Sequence, residues 1–534
     1  MNGPAGIPRA GIVRTMPYNS ARNPRPDEEM EGTMTALPTA LYTAEQVREL
    51  DRRAIEEAGI PGIVLMKRAG RAALKALLDR WPEPVKITVY CGGGNNGGDG
   101  YIVAGLARER GIDAEIVQVA PAEKLKGDAE RAWRYAREAG VAMTPFQEAP
   151  VPEAGIIVDA MLGTGIKGAL RKPFDEAVAA VNSAGLPVMA VDIPSGLDSD
   201  TGVHGGSAVR AQVTPTFIGL KRGLFTGKGP AVVGEIVFDD LGTPDSIRPA
   251  DEAATEILDL ASLRSLLGPR PRDAHKGHYG HVMVIGGDQG FGGAVAMAAE
   301  AALRTGAGLV SAATRAEHVA AILARCPEVM ALATASGQEL EPHLDRPSVL
   351  VVGPGLGRSP WSEQLFQKAV ASGLPLIIDA DGLNILAQGR IGAGADADAG
   401  KWLLTPHPGE AARLLGCEPA DIQADRFAAV RALQQKYGAT VILKGAGSLV
   451  CGGGDEPVGL CTGGNPGMAT GGMGDVLSGI LGGLLAQGLS PGDAARLGVC
   501  LHARAADRAA GAGGERGLGA TDLFHWLRRE VNGL

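Results

Sequence analysis

The sequence predicts an α/β protein with two domains, each a mostly parallel sheet with helices on both faces. Short apolar runs alternate with helical segments along most of the chain, and several of those runs end in a glycine-rich turn. At 534 residues the chain exceeds the size of one ordinary domain. We expect a disordered extension over 1–38, a first domain over 39–241, a linker over 242–260 and a second domain over 261–534.

The composition narrows the class of protein. The formal charge of −9 argues against non-specific nucleic-acid binding. No apolar run reaches the length of a membrane span, and the first residues lack the apolar core of a secretory signal. Six scattered cysteines with no CxxC pair indicate buried thiols in a reducing compartment. We therefore expect a cytoplasmic protein with no membrane or nucleic-acid partner.

The first domain opens with helices and a strand. Thr43 and Gln46 have the spacing of a capping box, which predicts a helix from this point. A second helix follows, and a β-rich run over 85–90 leads into the glycine- and asparagine-rich stretch 91–100. We place the next helix start near Tyr101. The side chains of this stretch offer oxygens and amides at a strand end, although a simple turn would favour the same residues.

Two later strands of the first half also end in polar residues. The run 156–158 leads into Asp159, and the run 188–191 leads into Asp192, three residues before Ser195. Because the carboxyl ends of parallel strands share one edge of a sheet, ligands bind there. Oxygens from Asn96, Asp159 and Ser195 suit a hard, weakly charged cation such as potassium. The alternative interpretation is that the aspartates only cap the turns that follow them.

The second half repeats the strand–helix alternation and ends with a long glycine-rich motif. Its predicted strands are 280–287, 309–312, 349–352, 376–378, 402–404 and 441–443. The motif, 464–474, leads into a helix with Asp475 in its first turn. Such a helix start presents free N–H groups and a positive dipole end, which suits phosphate, and Asp475 is placed to accept a hydroxyl proton during phosphoryl transfer. The alternative interpretation is a flexible loop with an aspartate cap.

Other polar residues of the second half carry weaker signals. His407 lies between two prolines at a helix start, where it is either structural or held towards the sheet edge. Lys444 follows a strand and would neutralise a nucleotide phosphate if it faces a site. We expect Asp379 and Asp381 to be turn or support residues and not catalysts.

At these motifs the sequence resembles two enzyme families. The segments 95–100, 159–165 and 192–196 make the first half similar to YjeF-type NAD(P)H-hydrate epimerases. The second half resembles the ribokinase-like NAD(P)H-hydrate dehydratases through the segments 353–357, 405–410, 444–447 and 464–477. The resemblance implies two three-layer αβα domains, Rossmann-like and then ribokinase-like. It covers nearly the whole chain beyond the N-terminal extension, although Lys67 and Arg68 replace the acidic residue and asparagine that are frequent in related sequences.

The resemblance also implies the chemistry and the residues. The first domain would interconvert the R and S epimers of hydrated NADH or NADPH with the help of K⁺, and the second would convert the S epimer to NAD(P)H using ADP and Mg²⁺. Asp192 and Asp475 would act as acid/base groups. K⁺ would be held by Asn96, Asp159 and Ser195, and the nucleotide by Lys444, Gly445, Ala446, Gly447, Ser448 and Gly474. The hydrate would contact Asn95, Asn96, Gly97, Gly98, Asp99, Gly163, Thr164, Gly165, Ile166, Lys167, Gly168, Ala169 and Asp192 in the first domain, and Ala294, Gly355, His407 and Asp475 in the second.

A second interpretation of the sequence remains open at this point. The second half could be a ribokinase-type small-molecule kinase that uses ATP, with a nucleotide-sensing first half. A stable phosphorylated product would favour that interpretation. The family resemblance further implies a homo-oligomer, either a dimer or a tetramer.

Overall fold

A computed structural model describes residues 37–249, 253–389, 399–454 and 456–534. The predicted disordered extension therefore lies almost entirely outside the described residues. The strands are β1 Ala40–Tyr42, β2 Ile87–Cys91, β3 Ala114–Gln118, β4 Ala142–Pro145, β5 Ile156–Ala160, β6 Val188–Ala190, β7 Val213–Phe217, β8 Leu220–Lys221, β9 Glu235–Asp239, β10 Thr255–Ile257, β11 His281–Ile285, β12 Leu309–Thr314, β13 Met330–Ala333, β14 Val349–Val352, β15 Leu376–Ile378, β16 Trp402–Leu404, β17 Thr440–Leu443, β18 Ser448–Cys451 and β19 Val458–Cys461.

The α-helices confirm the predicted alternation. They are α1 Ala44–Glu56, α2 Gly62–Arg80, α3 Asn95–Glu109, α4 Gly127–Glu138, α5 Phe174–Ser183, α6 Leu260–Leu263, α7 Gly292–Thr305, α8 Ala316–Arg325, α9 Gly337–Leu340, α10 Pro360–Ala371, α11 Ala380–Ala387, α12 Pro408–Leu415, α13 Pro419–Ala424, α14 Arg426–Tyr437, α15 Met473–Ala486, α16 Pro491–Gly513 and α17 Leu523–Val531. The predicted capping box at α1 is present, since the Thr43 hydroxyl accepts from the Gln46 amide and the Gln46 side chain accepts from the Thr43 amide. None of the helices in the described ranges is long and apolar enough to cross a bilayer.

The first domain is built on a seven-stranded parallel sheet with the order β4-β3-β2-β5-β6-β7-β9. One apolar cluster packs α2, α3 and α4 on one face, and another packs α5 on the other. The order reverses between β2 and β5, and a doubly wound sheet binds its ligands at such a switch point. The carboxyl ends of β2 and β5 are therefore adjacent.

The second domain is built on the larger sheet, in which β11 to β17 run parallel in the order β13-β12-β11-β14-β15-β16-β17. Helices α7, α15, α16 and α17 cover one face, while α10, α11, α12 and α14 cover the other. Beyond β17 the sheet continues through the antiparallel strands β18 and β19, which the sequence analysis did not predict. Both domains therefore have the predicted three-layer αβα architecture.

The large sheet includes strands from both halves of the chain. After β19 come β10, β1 and β8. Strand β1 pairs antiparallel with β10 and parallel with β8, while β10 pairs parallel with β19. Strand β10 lies within the predicted linker, 242–260, so this part of the connection is hydrogen-bonded into the second domain's sheet.

The predicted start of α3 near Tyr101 is wrong, because the helix begins six residues earlier, at Asn95. Two glycines of this stretch, Gly97 and Gly100, allow the helix to pack closely against neighbouring residues. A Cβ at Gly97 would clash with the Gly92 carbonyl, and one at Gly100 would lie 2.5 Å from the Ala160 Cβ. The first turns of α3 can therefore rest directly on the ends of β2 and β5.

Candidate active sites

Three predicted cation ligands meet at the carboxyl ends of β5 and β6. The buried Asp159 carboxylate accepts from the Ser195 hydroxyl (2.6 Å), the Ser195 amide (2.7 Å) and the Met161 amide (3.1 Å). The Asn96 amide nitrogen donates to the Leu162 carbonyl (3.0 Å), whereas its buried Oδ1 has no partner among the described residues. Burial raises the pKa of Asp159 to about 6, against the hydrogen bonds it accepts. An unpartnered buried oxygen beside a buried carboxylate is an environment that a cation would complete.

Asp192 forms an ion pair that the sequence analysis did not anticipate. Its backbone is left-handed, with φ 67°, which is uncommon outside glycine. Its Oδ1 accepts from Lys221 Nζ and from Thr216 Oγ1 (3.2 Å). Lys221 is only 1% exposed, and its ammonium also donates to Thr216 Oγ1 (3.0 Å) and the Phe217 carbonyl (3.2 Å). A left-handed residue that holds a partly buried ion pair at a sheet edge is a candidate catalytic group.

Two more carboxyls lie within electrostatic range of this pair. Burial, reinforced by the charges of Asp192 and Asp51, raises the pKa of Asp99 well above its ordinary range. Burial raises the pKa of Asp51 to about 6, with Lys221 acting in the opposite direction. All four side chains line one cavity of about 460 Å³. The cavity therefore contains groups able to donate and to accept protons near neutral pH.

Some of the residues predicted to bind the hydrate in the first domain line this cavity. Its lining includes Asn95, Asn96, Asp99, Gly163, Thr164, Gly165 and Asp192. Gly97 and Gly98 lie behind it, buried in α3. The stretch 166–169 is not part of the lining, and the backbone of Gly168 and Ala169 packs against Gly205 instead.

The glycine-rich motif of the second domain ends at the start of α15. Gly472 is the N-cap residue, with φ 91°, and a Cβ there would lie 2.7 Å from the Met297 methyl. A Cβ at Gly474 would lie 3.3 Å from Lys444 Nζ, so this turn and the lysine are in close contact. Burial and the charge of Asp379 raise the pKa of Asp475 to about 7, while Lys444 lowers it. The first turn of α15 thus offers a proton acceptor suited to neutral pH.

Lys444 lies at the centre of a charged cluster at the ends of β15 and β17. Its ammonium donates to Asp379 Oδ1 (2.9 Å) and lies 3.9 Å from Glu410 Oε2. The Ser478 hydroxyl donates to Asp379 Oδ2 (2.8 Å). Burial works against ionisation of Asp379, but Lys444 and these hydrogen bonds hold its pKa below the ordinary range. Burial raises the pKa of Glu410 to about 7. Asp379 therefore holds the Lys444 ammonium in place.

Of the predicted hydrate contacts of the second domain, His407 lies near this cluster, while Gly355 and Ala294 pack against each other. His407 caps α12, and its Nδ1 accepts from the Gly409 amide (3.0 Å). Burial and the charge of Lys444 lower the pKa of His407, which favours a neutral ring. A Cβ at Gly355 would lie 3.1 Å from the Ala294 Cβ, so these two residues are neighbours. Phe291, beside them, is 60% exposed.

Sequence reasoning assigned no role to Lys221, Asp51, Glu410 or Ser478. A signal existed for Ser478, since it lies one helical turn after Asp475. Lys221 and Asp51 carry no such local signal, because they reach Asp192 from a different strand and from α1.

Comparisons with known proteins match the two halves of the chain to two families. The family model described as YjeF-related protein N-terminus matches residues 62–223, and that described as NAD(P)H-hydrate dehydratase matches residues 282–529. The bifunctional NAD(P)H-hydrate repair enzyme of Coxiella burnetii is 50% identical over 92% of this chain and 100% of its own length. The Escherichia coli enzyme of the same name is 42% identical over 95% and 96%. A Bacillus subtilis ADP/ATP-dependent NAD(P)H-hydrate dehydratase, co-crystallised with ATP/Mg²⁺, is 25% identical over 52% of this chain and 98% of its own, with a TM-score of 0.47.

The fold and the two candidate sites define the class of protein as a two-domain α/β enzyme. One domain has a cavity lined by acid/base groups, and the other has a glycine-rich helix N-terminus of the kind that suits phosphate. The chain belongs to the family of bifunctional NAD(P)H-hydrate repair enzymes, which combine epimerase and dehydratase activities. The predicted family is thereby confirmed. A sensing role for the first half is not favoured, since the relatives that match both halves of this chain are named bifunctional repair enzymes.

Proposed function

We propose that residues 39–241 epimerise R and S NAD(P)H hydrate and that residues 261–534 dehydrate the S form to NAD(P)H, converting ADP to AMP and phosphate. Residues 242–260 would join the two domains. The observation that carries the second assignment is Asp475, whose pKa is raised to about 7 at a glycine-rich helix start beside Lys444. A hydroxyl must lose its proton as a phosphoryl group reaches it, and this carboxylate can accept that proton.

The dehydration would proceed in two steps in the second domain. In the first, the C6 hydroxyl loses its proton to Asp475 and takes the terminal phosphoryl group of ADP, releasing AMP. The amides at the start of α15, including that of Gly474, would stabilise charge on the transferring group. In the second step, phosphate leaves with the electrons of the C6–O bond and a proton leaves C5, which restores the ring double bond. Phosphate is a far better leaving group than hydroxide, which explains the use of ADP.

The hydrate and the nucleotide would approach this centre from different sides. Ala294, Gly355 and His407 would contact the hydrate, and 444–448 would contact ADP. A neutral His407 can donate from Nε2, because its Nδ1 accepts from the Gly409 amide. Mg²⁺ with ADP would neutralise charge on the phosphates.

The epimerisation would use the acid/base cavity of the first domain. C6 of the hydrate is bonded to both a ring nitrogen and a hydroxyl, so the nitrogen lone pair can expel the protonated hydroxyl as water. Water then adds to either face of the resulting iminium ion. A protonated Asp99, with its raised pKa, would act as the acid, and Asp192, positioned by Lys221, would act as the base.

A potassium ion would fit beside this cavity. The unpartnered Oδ1 of Asn96 supports its placement, together with the oxygens of Asp159 and Ser195. Because Ser195 and Leu162 connect these ligands to the 159–165 turn, the ion would fix the part of the turn that lines the cavity. We further propose that the protein is cytoplasmic and forms a homo-oligomer, dimeric or tetrameric. Light scattering on the purified protein would test the oligomeric state.

The decisive experiment follows NADH formation, by its near-ultraviolet absorbance, from a mixture of both NADH-hydrate epimers with ADP, Mg²⁺ and K⁺. Conversion of both epimers supports both assignments. Conversion that stops when the S epimer is exhausted refutes the first-domain assignment. Absence of NADH with ADP or ATP, accompanied by a stable phosphorylated product, refutes the second.

A further inference from the structure

The predicted nucleotide loop, 444–448, rests on a buried arginine. Arg426, at the start of α14, is 1% exposed. Its guanidinium donates to the carbonyls of Leu443 (3.3 Å), Lys444 (3.4 Å) and Gly447 (3.1 Å). No carboxylate lies within ion-pair distance of Arg426 among the residues that the structure describes. Its charge is therefore balanced by the carbonyl dipoles of the loop.

A segment of the first domain holds the same loop from another side. The buried Thr226 hydroxyl lies 3.2 Å from the Ala446 carbonyl and 3.4 Å from the Gly447 carbonyl, and it accepts from Arg426 Nε (3.2 Å). The Gly227 amide also donates to the Ala446 carbonyl (3.2 Å). Gly447 has φ 66°, and a Cβ there would clash with the Phe225 carbonyl. The loop conformation is thus closely fitted to residues 225–227.

These contacts determine which way the loop amides face. In a trans peptide the C=O and the following N–H point in opposite directions. The Lys444 and Ala446 carbonyls are turned towards Arg426 and Thr226, so the amides of Gly445 and Gly447 face away from them. Within the described ranges, neither of these two amides donates to a protein acceptor. Outward amides above a fixed cation form a surface suited to an anion.

We propose that Thr226, from the epimerase domain, and Arg426 are positioning residues for ADP in the dehydratase domain, because they hold the carbonyls of 444–448 inward and its amides outward. The inference rests on the proposed function, since it takes this loop as the ADP-binding segment. It makes the first domain a structural part of the second domain's nucleotide site. Neither residue touches the transferring phosphoryl group, so their loss should affect ADP binding more than the chemical step.

The test uses Thr226→Val in the full-length enzyme, with Thr214→Val as the matched control. Thr214 is also buried in the first domain, and its hydroxyl donates to the Val233 carbonyl (2.6 Å), away from the loop. We expect Thr226→Val to raise both the KM and the calorimetric Kd for ADP by about five- to tenfold, the effect of losing one to two hydrogen bonds. The kcat, the KM for the hydrate and the rate of epimerisation should stay within about twofold of wild type.

Two more variants complete the design. Thr226→Ser keeps the hydroxyl and should restore the wild-type KM for ADP. Arg426→Lys keeps the charge but loses the planar guanidinium that contacts several carbonyls at once. It should therefore raise the KM for ADP without changing epimerisation, and it tests the proposal if Thr226→Val does not fold. An unchanged KM for ADP in a folded Thr226→Val or Arg426→Lys enzyme would overturn the proposal. So would a loss that Thr214→Val reproduces, or one that lowers epimerisation equally. An inactive wild-type enzyme would instead overturn the proposed function.

Discussion

Replacing Asp475 with asparagine tests whether this carboxylate is the base of the dehydratase. The change removes a proton acceptor while keeping nearly the same volume. Positioned general bases contribute about 10²- to 10⁴-fold to a rate, so we expect kcat to fall by at least about 10² while the KM for ADP changes less than about threefold. In the wild-type enzyme the pKa of about 7 predicts that kcat/KM for the hydrate rises with pH through this value. The variant's residual rate should lose that rise.

The same substitution has an effect on stability whose sign follows from the pKa. The folded protein raises the pKa of Asp475 from its ordinary 3.8 to about 7, so between these values the folded state binds more protons than the unfolded state. Stability from this group is therefore lost as pH rises from about 4 to about 7. The shift corresponds to roughly 4 kcal/mol, which partial exposure reduces to about 2 kcal/mol. Asp475→Asn should thus be the more stable protein at about pH 8, by urea unfolding.

The matched control is Asp493→Asn, which makes the same chemical change in the first turn of α16. We expect wild-type turnover from it. An Asp475→Asn enzyme with near wild-type kcat, or with an unchanged pH profile, would refute the assignment of the base. A variant less stable than wild type at about pH 8 would refute the electrostatic reasoning.

Two further perturbations separate the two sites, and a third tests a hydrogen bond within the second. Asn96→Leu removes the unpartnered oxygen among the predicted cation ligands, so the rate of epimerisation should fall at least about tenfold and lose its dependence on K⁺. Turnover of pure S hydrate should persist. Retained stimulation of epimerisation by K⁺ would contradict this prediction. Lys221→Met should lower epimerisation by about 10² or more without affecting dehydration, whereas the exposed Lys228→Met should change neither, as followed by chromatographic separation of the epimers. Ser478→Ala leaves a buried carboxylate short of one donor and should lower the free energy of unfolding by about 1–3 kcal/mol in urea titrations; equal stability would show that this hydrogen bond contributes nothing.

The sequence predicted most of the architecture because its signals are local. Apolar runs, glycine turns and the capping box of Thr43 depend on residues a few positions apart, and the structure confirms them. The start of α3 was misplaced because glycine and asparagine favour both turns and close packing, and only the contact between Gly97 and Gly92 distinguishes the two. The short strands β1, β8 and β10 have two or three residues each, too few for a periodic pattern.

The candidate sites could likewise be predicted only where the signal is local. Asp192 and Asp475 stand next to strands or glycine turns and could be singled out from the sequence alone. Lys221 could not be singled out, since its pairing with Asp192 depends on the position of β8 in the fold. Arg426 gave no signal either, because an arginine at a helix start is usually solvated.

The large sheet contains strands from both halves of the chain, and this affects how the chain can fold during synthesis. Strand β1 is synthesised before the rest of the first domain, but its neighbour β10 follows that whole domain, and β19, which flanks β10, ends only at Cys461. Nascent domains generally fold in order, amino-terminal first. Here the amino-terminal domain can close its own seven-stranded sheet early, yet its first strand must keep an open edge until the partner domain is nearly complete. Cutting the gene between the two domains would therefore leave unpaired backbone on both products.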